Sequence, residues 1–284
     1  MSPIPRRPVP AGTAAVAAKP SLRIGKLGER RRGQFVGLFG RGGAGKSTLA
    51  AMFGSSVNGR NKGLTAYFDL EGSLDVIAPQ LEALGVADLI APIRIESWED
   101  FKSQLGADGF DAFDHVVVDS FTRAEEMCAE FCMANVAGDS ATIKQSLEQW
   151  MYGKGSQIVF DAFRPAYHAI QRHLDAGRNV VAIAHNDPTR YTNAEGADYW
   201  QEQPRLVQGE KGKAPGRSVF LEKVDHLLYL AADINVEKGK AHGGMTRTLH
   251  CGGEAPIMAK SRTVQGTAFA IPDGEPFDWS QIVR

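Results

Sequence analysis

A chain of 284 residues with 43% hydrophobic and 23% charged residues has room for one large α/β domain and an ordinary core. Its net charge of −1 excludes bulk attraction to nucleic acid, so any contact with DNA has to be local. Three cysteines (Cys128, Cys132 and Cys251) and no apolar run of bilayer length exclude a disulfide framework and a membrane span, and point to the reducing cytoplasm.

Residues 1–32 are rich in Pro, Ala and Arg, show no apolar period and end in Glu29-Arg30-Arg31-Arg32. They are expected to form a flexible arm, either a solvated leader or a tail that meets DNA or a second subunit. The alanine-rich stretch 11–18 only faintly resembles a signal peptide, and the prolines around it speak against secretion.

The folded domain is expected to begin near residue 33 and to run to 271, with 272–284 as a tail. It opens with an apolar strand at 34–39. Gly40-Arg41-Gly42-Gly43-Ala44-Gly45-Lys46-Ser47-Thr48 follows, fitting G-x-x-x-x-G-K-[ST], and 47–53 has helical character. Glycines let successive N–H groups converge on one anion, with a helix start behind them. Lys46 is placed for the β- and γ-phosphates of ATP, and the Ser47 hydroxyl for the Mg²⁺ that accompanies it.

A second buried strand at 63–70 delivers Glu71 to its tip, and in parallel sheets the carboxyl ends of strands face the ligand. Glu71 suits the base that orients water against the γ-phosphate; a helix-starting acid is the other reading. Helices at 74–84 and 98–105 flank a short strand at 93–95, and Ser97 is placed to cap the second of them. Val116-Val117-Val118 then form a core strand whose tip, Asp119, suits the hydration shell of Mg²⁺.

Residues 121–134 read as a helix, where Cys128 and Cys132 share a face. Packing explains them more simply than metal, since no further Cys pair or His lies nearby. The polar stretch 138–156, with Lys154 between glycines, reads as a surface excursion before a helix at 158–174. The strand at 179–184 ends at His185, placed to sense a γ-phosphate. Residues 186–216 show little apolar order, and Lys211, Lys213 and Arg217 near their end suit a phosphodiester backbone or an ordinary solvated loop. Short strands, some of them antiparallel, are expected at 225–231, 245–250, 255–259 and 267–271.

Taken together, these blocks resemble the RecA-type P-loop ATPase core, and within it the small phage-encoded single-strand DNA recombinases. Asp69-Leu70-Glu71-Gly72-Ser73-Leu74-Asp75 is similar to the segment that carries the catalytic glutamate of RecA proteins. Val116 to Ser120 is similar to their Walker B strand, and His185 stands where RecA carries a glutamine. Met258-Ala259-Lys260-Ser261-Arg262 resembles the K-x-R element that related proteins insert into a neighbour's ATP.

The resemblance implies a mainly parallel sheet flanked by helices, extended by antiparallel strands at the C-terminus. It also implies Mg-ATP hydrolysis at interfaces of a homo-oligomer, with Lys260 and Arg262 acting in trans. DNA-binding loops would lie at 138–156 and 186–217, with single-stranded DNA and a single-strand-binding protein as partners. A DnaB-like helicase or loader and a KaiC-like nucleotide-switched assembly protein are the alternatives.

Overall fold

The computed structural model describes residues 32–56, 63–136, 146–147, 150, 154–193, 196–208, 216–237, 240–264, 266, 268–271 and 274–283, with the backbone alone at 233–237 and 240–245. The first half of the chain alternates strands and helices: β1 (Phe35–Gly40), α1 (Lys46–Ala51), α2 (Phe53–Ser56), β2 (Thr65–Asp69), α3 (Leu74–Ala83), β3 (Ile90–Arg94), α4 (Trp98–Leu105), β4 (His115–Asp119) and α5 (Phe121–Asn135). After it come α6 (Lys154–Asp175), β5 (Asn179–His185), β6 (Thr189–Tyr191), β7 (Tyr199–Gln201) and α7 (Gly216–Lys223). The chain then turns to β8 (His226–Glu237), β9 (Lys240–His250), β10 (Lys260–Ser261) and β11 (Ala268–Ile271).

Among the described residues one nine-stranded sheet runs β11-β9-β8-β1-β5-β4-β2-β3, with β10 beside β8. The six strands from β8 to β3 are parallel, whereas β9, β10 and β11 pair antiparallel. The expected architecture, a mainly parallel sheet with helices and an antiparallel C-terminal extension, is the one observed.

Strand alternation separates two cores, because successive side chains leave a strand on opposite faces. Phe35, Phe39, Val116, Val118, Val180 and Ala182 face α4, α5, α6 and α7. Val36, Leu38, Val117, Val181 and Ile183 face α1 and α3. Gly37 lies on the first of these faces, where a Cβ would come within 2.8 Å of the Phe220 ring of α7.

Local chemistry sets several helix starts. Ser97 caps α4 by accepting from the Asp100 N–H at 3.2 Å, while the Asp100 carboxylate accepts from the Glu96 N–H at 3.1 Å, one residue short of a capping box. Ser120 caps α5 in the same manner, accepting from the Arg123 N–H at 3.1 Å.

Four expectations need correction. Helix α6 begins at Lys154 rather than 158, because Gly155 lets the helix close on the Leu147 carbonyl, which a Cβ would meet at 2.2 Å. Residues 186–216 are not structureless throughout: β6 and β7 form a hairpin, and α7 starts at Gly216. The strand expected at 255–259 is instead a turn closed by Glu254 and Ile257, and the strand lies at Lys260–Ser261.

The segment after 272, expected as a tail, packs under α1. There the Trp279 indole N–H donates to the Leu49 carbonyl at 3.1 Å, and Phe277, Trp279, Ile282 and Val283 are buried. Burying four aromatic and aliphatic side chains outweighs the entropy of ordering so short a stretch. Among the described residues no helix is long and apolar enough to cross a membrane.

Candidate active site

Parallel pairing brings the ends of β1, β2, β4 and β5 to one edge of the sheet, where a cleft of about 870 Å³ opens. The loop after β1 forms its floor. Gly43 and Gly45 have φ of 75° and 92°, in the left-handed region that side chains disfavour, so the tight curl of the loop depends on glycine. The Lys46 ammonium is held by the carbonyls of Gly40 and Arg41, each at 2.9 Å. Burial lowers its pKa, and the charges of Asp119 and Glu71 oppose that shift.

Asp119 is 2% exposed at the end of β4. Its Oδ2 accepts from the Tyr67 hydroxyl at 2.7 Å and from the Ser73 hydroxyl at 2.9 Å. Burial raises its pKa, while hydrogen bonds from Ser47, Tyr67 and Ser73 hold it down. The neighbouring Asp69 caps α3, accepting from the Ser73 N–H at 2.9 Å and the Leu74 N–H at 3.2 Å. That cap fixes the turn through Glu71 and Gly72 against the tip of β4.

Glu71 is clamped through one oxygen. Its Oε1 lies 2.8 Å from His185 Nε2 and accepts from the Ser120 hydroxyl, while Oε2 carries no hydrogen bond among the described residues. The His185 bond, together with Ser120 and the charge of Lys46, lowers the Glu71 pKa against the opposing effect of burial. The Arg205 guanidinium stands 3.3 Å from His185 Nδ1, on the other side of the ring from Glu71. Arg205 in turn pairs with Glu126, and the Thr122 hydroxyl joins the two segments, accepting from the His185 N–H and donating to the Arg205 carbonyl, each at 2.9 Å.

Arg41, Gly42, Gly43, Gly45, Lys46, Ser47, Thr48, Glu71, Asp119 and His185, inferred from the sequence, thus converge on one cleft, while Gly40 and Ala44 belong to the same loop without lining it. Arg41 does so at its rim, with its guanidinium 2.6 Å from Glu202. Sequence reasoning missed Arg205 and Arg247, which also line the cleft. No local signal marks either of them, since both arrive from far along the chain.

Lys260 and Arg262 lie elsewhere. β10 pairs with the first residues of β8, whereas the loop end of β1 pairs with Leu230. The two cations therefore stand at the opposite end of the sheet, where Lys260 donates to the Leu221 carbonyl and Arg262 meets Asp225 at 3.1 Å.

Of the residues inferred to contact DNA, Lys211 and Lys213 fall outside the described residues. Lys154 is exposed on the first turn of a helix rather than on a loop. The Arg217 side chain is only 14% exposed and turns inward to Asp187 at 3.4 Å and to Gln208, so it is not the free loop cation expected.

The donor set can be tested against Mg²⁺. Among the described residues no cluster of three His, Cys, Asp or Glu side chains could cage an ion. The Ser47 hydroxyl and Asp119 carboxylate are hard oxygen donors in mutual contact, which suits a cation whose remaining ligands are phosphate and water. They fit Mg²⁺ carried in with a nucleotide.

Comparison with curated proteins gives no match. A family model described as an AAA domain matches residues 32–263, which hold the loop, both strand-tip carboxylates and His185. The chain belongs to this family of AAA domains, AAA_24, and is a P-loop NTPase.

Proposed function

We propose that the protein binds Mg-ATP, hydrolyses it at contacts between identical subunits, and acts on single-stranded DNA in recombination, annealing or repair. The observation that carries the ATPase step is the posture of Glu71: one carboxylate oxygen is pinned by His185 and Ser120, and the other is open toward the cleft. Positioning is most of what phosphoryl transfer to water requires.

In this reading the loop N–H groups and Lys46 hold the β- and γ-phosphates, and Ser47 and Asp119 hold Mg²⁺, which supplies charge neutralisation at the phosphates. Glu71 orients the attacking water and takes its proton. His185 keeps Glu71 in place and connects it through Arg205 to the segment before residues 209–215. Lys260 and Arg262 are too far along β8 to reach their own cleft, which supports their entry into a neighbour's.

The DNA part rests on the resemblance to the recombinases and on the basic residues Lys211 and Lys213. A KaiC-like assembly protein is the second reading, favoured by a specific observation. The 187–205 segment carries Asp187, Asp198 and Glu202 against Arg190 and Arg205, and Arg217 is already engaged. The test is the rate of ATP hydrolysis without DNA, with single strands and with duplex, using Glu71→Gln as the blank. Strong stimulation by single strands is expected. A rate indifferent to DNA, accompanied by ATP-dependent oligomers, would replace the DNA reading with the assembly one, and directional unwinding of duplex would favour a helicase.

A further inference from the structure

One end of the cleft lies away from the groups that act on the γ-phosphate. Glu71, Asp119 and His185 line the main cleft alone, whereas Gly45, Thr48, Gln80 and Arg247 also border a narrower cleft continuous with Leu84, Ile271 and Glu275. These four residues therefore mark the end away from the hydrolytic groups. Ile77 and Gln80 of α3 stand there with Thr48, and Arg247 arrives from β9.

Arg247 reaches this place by strand alternation. It is two residues from Leu249, which is buried in the core beneath α1, so the two share a face of β9. Its strand neighbours are Ala232 on β8 and Ile271 on β11, and a register irregularity follows directly in the β8–β9 pair. Such irregularities re-aim a side chain near a site.

The side chain then lies flat on the loop. A Cβ on Gly45 would be 3.1 Å from Cζ, 3.1 Å from Nη1 and 3.4 Å from Nε of Arg247. Near-equal distances to three atoms of a plane place that point over its face. Gly45 is thus needed for its φ of 92°, and its missing side chain lets the guanidinium settle close on the loop.

Among the described residues no carboxylate lies within ion-pair distance of Arg247 and no hydrogen bond engages it, although it is half-buried. A guanidinium spread in a plane and already supported on one side is suited to stack on an aromatic ring.

We propose that Arg247 is the base-stacking residue of the nucleotide site, closing over the ring of ATP or ADP opposite Ile77 and Gln80. The proposal rests on the cleft being a nucleotide site. It deepens that reading by naming the base contact in a cleft that no Phe, Tyr or Trp lines among the described residues. Stacking selects for a flat ring and discriminates weakly between adenine and guanine.

The test compares equilibrium binding of Mg-ATP, Mg-ADP and inorganic tripolyphosphate, which has the phosphate chain without a base. Arg247→Ala should weaken ATP and ADP by roughly 3- to 30-fold and leave tripolyphosphate unchanged, which also shows that the variant folds. Arg247→Lys should not restore the loss, because an ammonium has no plane. Unchanged ATP affinity, or an equal loss for tripolyphosphate, would overturn the stacking role while leaving the nucleotide site standing. A native chain that binds neither ATP nor tripolyphosphate, and so behaves like Lys46→Ala, would overturn both.

Discussion

The two ends of the parallel sheet carry the same kinds of charge in opposite states. At the N-terminal end of β8, Arg262 is neutralised by Asp225 at 3.1 Å and Lys260 is tied to a carbonyl; at the strand tips, Arg247 has no counter-charge among the described residues, and Glu71 keeps one oxygen open. Asp225 does not depend on Arg262, since it also accepts from the Phe35 N–H at 2.9 Å and lies 3.6 Å from Arg32. Arg262 is 59% exposed, so leaving that pair costs little. Under the proposed function, the unneutralised groups at one end are those that would meet a ligand inside the chain's own cleft, and the satisfied cations at the other end are those that would enter a neighbour's.

Glu71→Gln tests the strand-tip end with the largest effect. The amide still accepts from Ser120 but takes no proton, so turnover should fall by about 10²–10⁴ with Mg-ATP affinity unchanged. Steady-state rates beside equilibrium binding decide it, and a parallel loss of affinity would mean that Glu71 holds the nucleotide instead of the water.

Lys260→Ala combined with Arg262→Ala tests the far end. Turnover should drop by about 10²–10³ where copies associate, while the dilute chain binds ATP as before. A weaker affinity in the dilute chain would break the comparison, because those cations would then act in cis.

Glu125, on α5 between the two ends, applies the same rule to a buried acid. Burial pushes its pKa up to about 7, with Glu126 adding to the shift and the Val207 N–H, which donates at 2.6 Å, opposing it. In the folded chain Glu125 keeps its proton over a range in which the unfolded chain has released it. Its contribution to stability is therefore full below about 4.5 and is lost as pH rises through about 7. Glu125→Gln has no such loss, so Tm measured at pH 5 and at pH 8 should fall further in the native chain than in the variant. Parallel falls in the two chains would show that Glu125 is not the group responsible.

The elements nearest the loop were legible because their signals are local. The apolar run of β1, the Val116-Val117-Val118 run, the Ser97 cap and the G-x-x-x-x-G-K-[ST] spacing each lie within a few residues. Helix α6 was cut short because Gly155 looks like a loop residue, and only Leu147 packed against it explains its place in a helix. The hairpin at 189–201 was missed because its strands have three residues each, too few for alternation to show. Arg217 looked like a free loop cation because Asp187, which engages it, lies thirty residues earlier.

By itself the sequence determined the phosphate loop, the two strand-tip carboxylates and His185. A parallel sheet must deliver the ends of its strands to one edge, so a motif on each strand is enough to bring these groups together. Tertiary structure alone decided that Arg247 lies over Gly45, that Arg205 stands beside His185, and that Trp279 supports α1 from below. Those contacts depend on which strand docks beside β1, and on the register of the β8–β9 pair. Cross-strand packing over some two hundred residues sets both, and no short stretch of the chain encodes them.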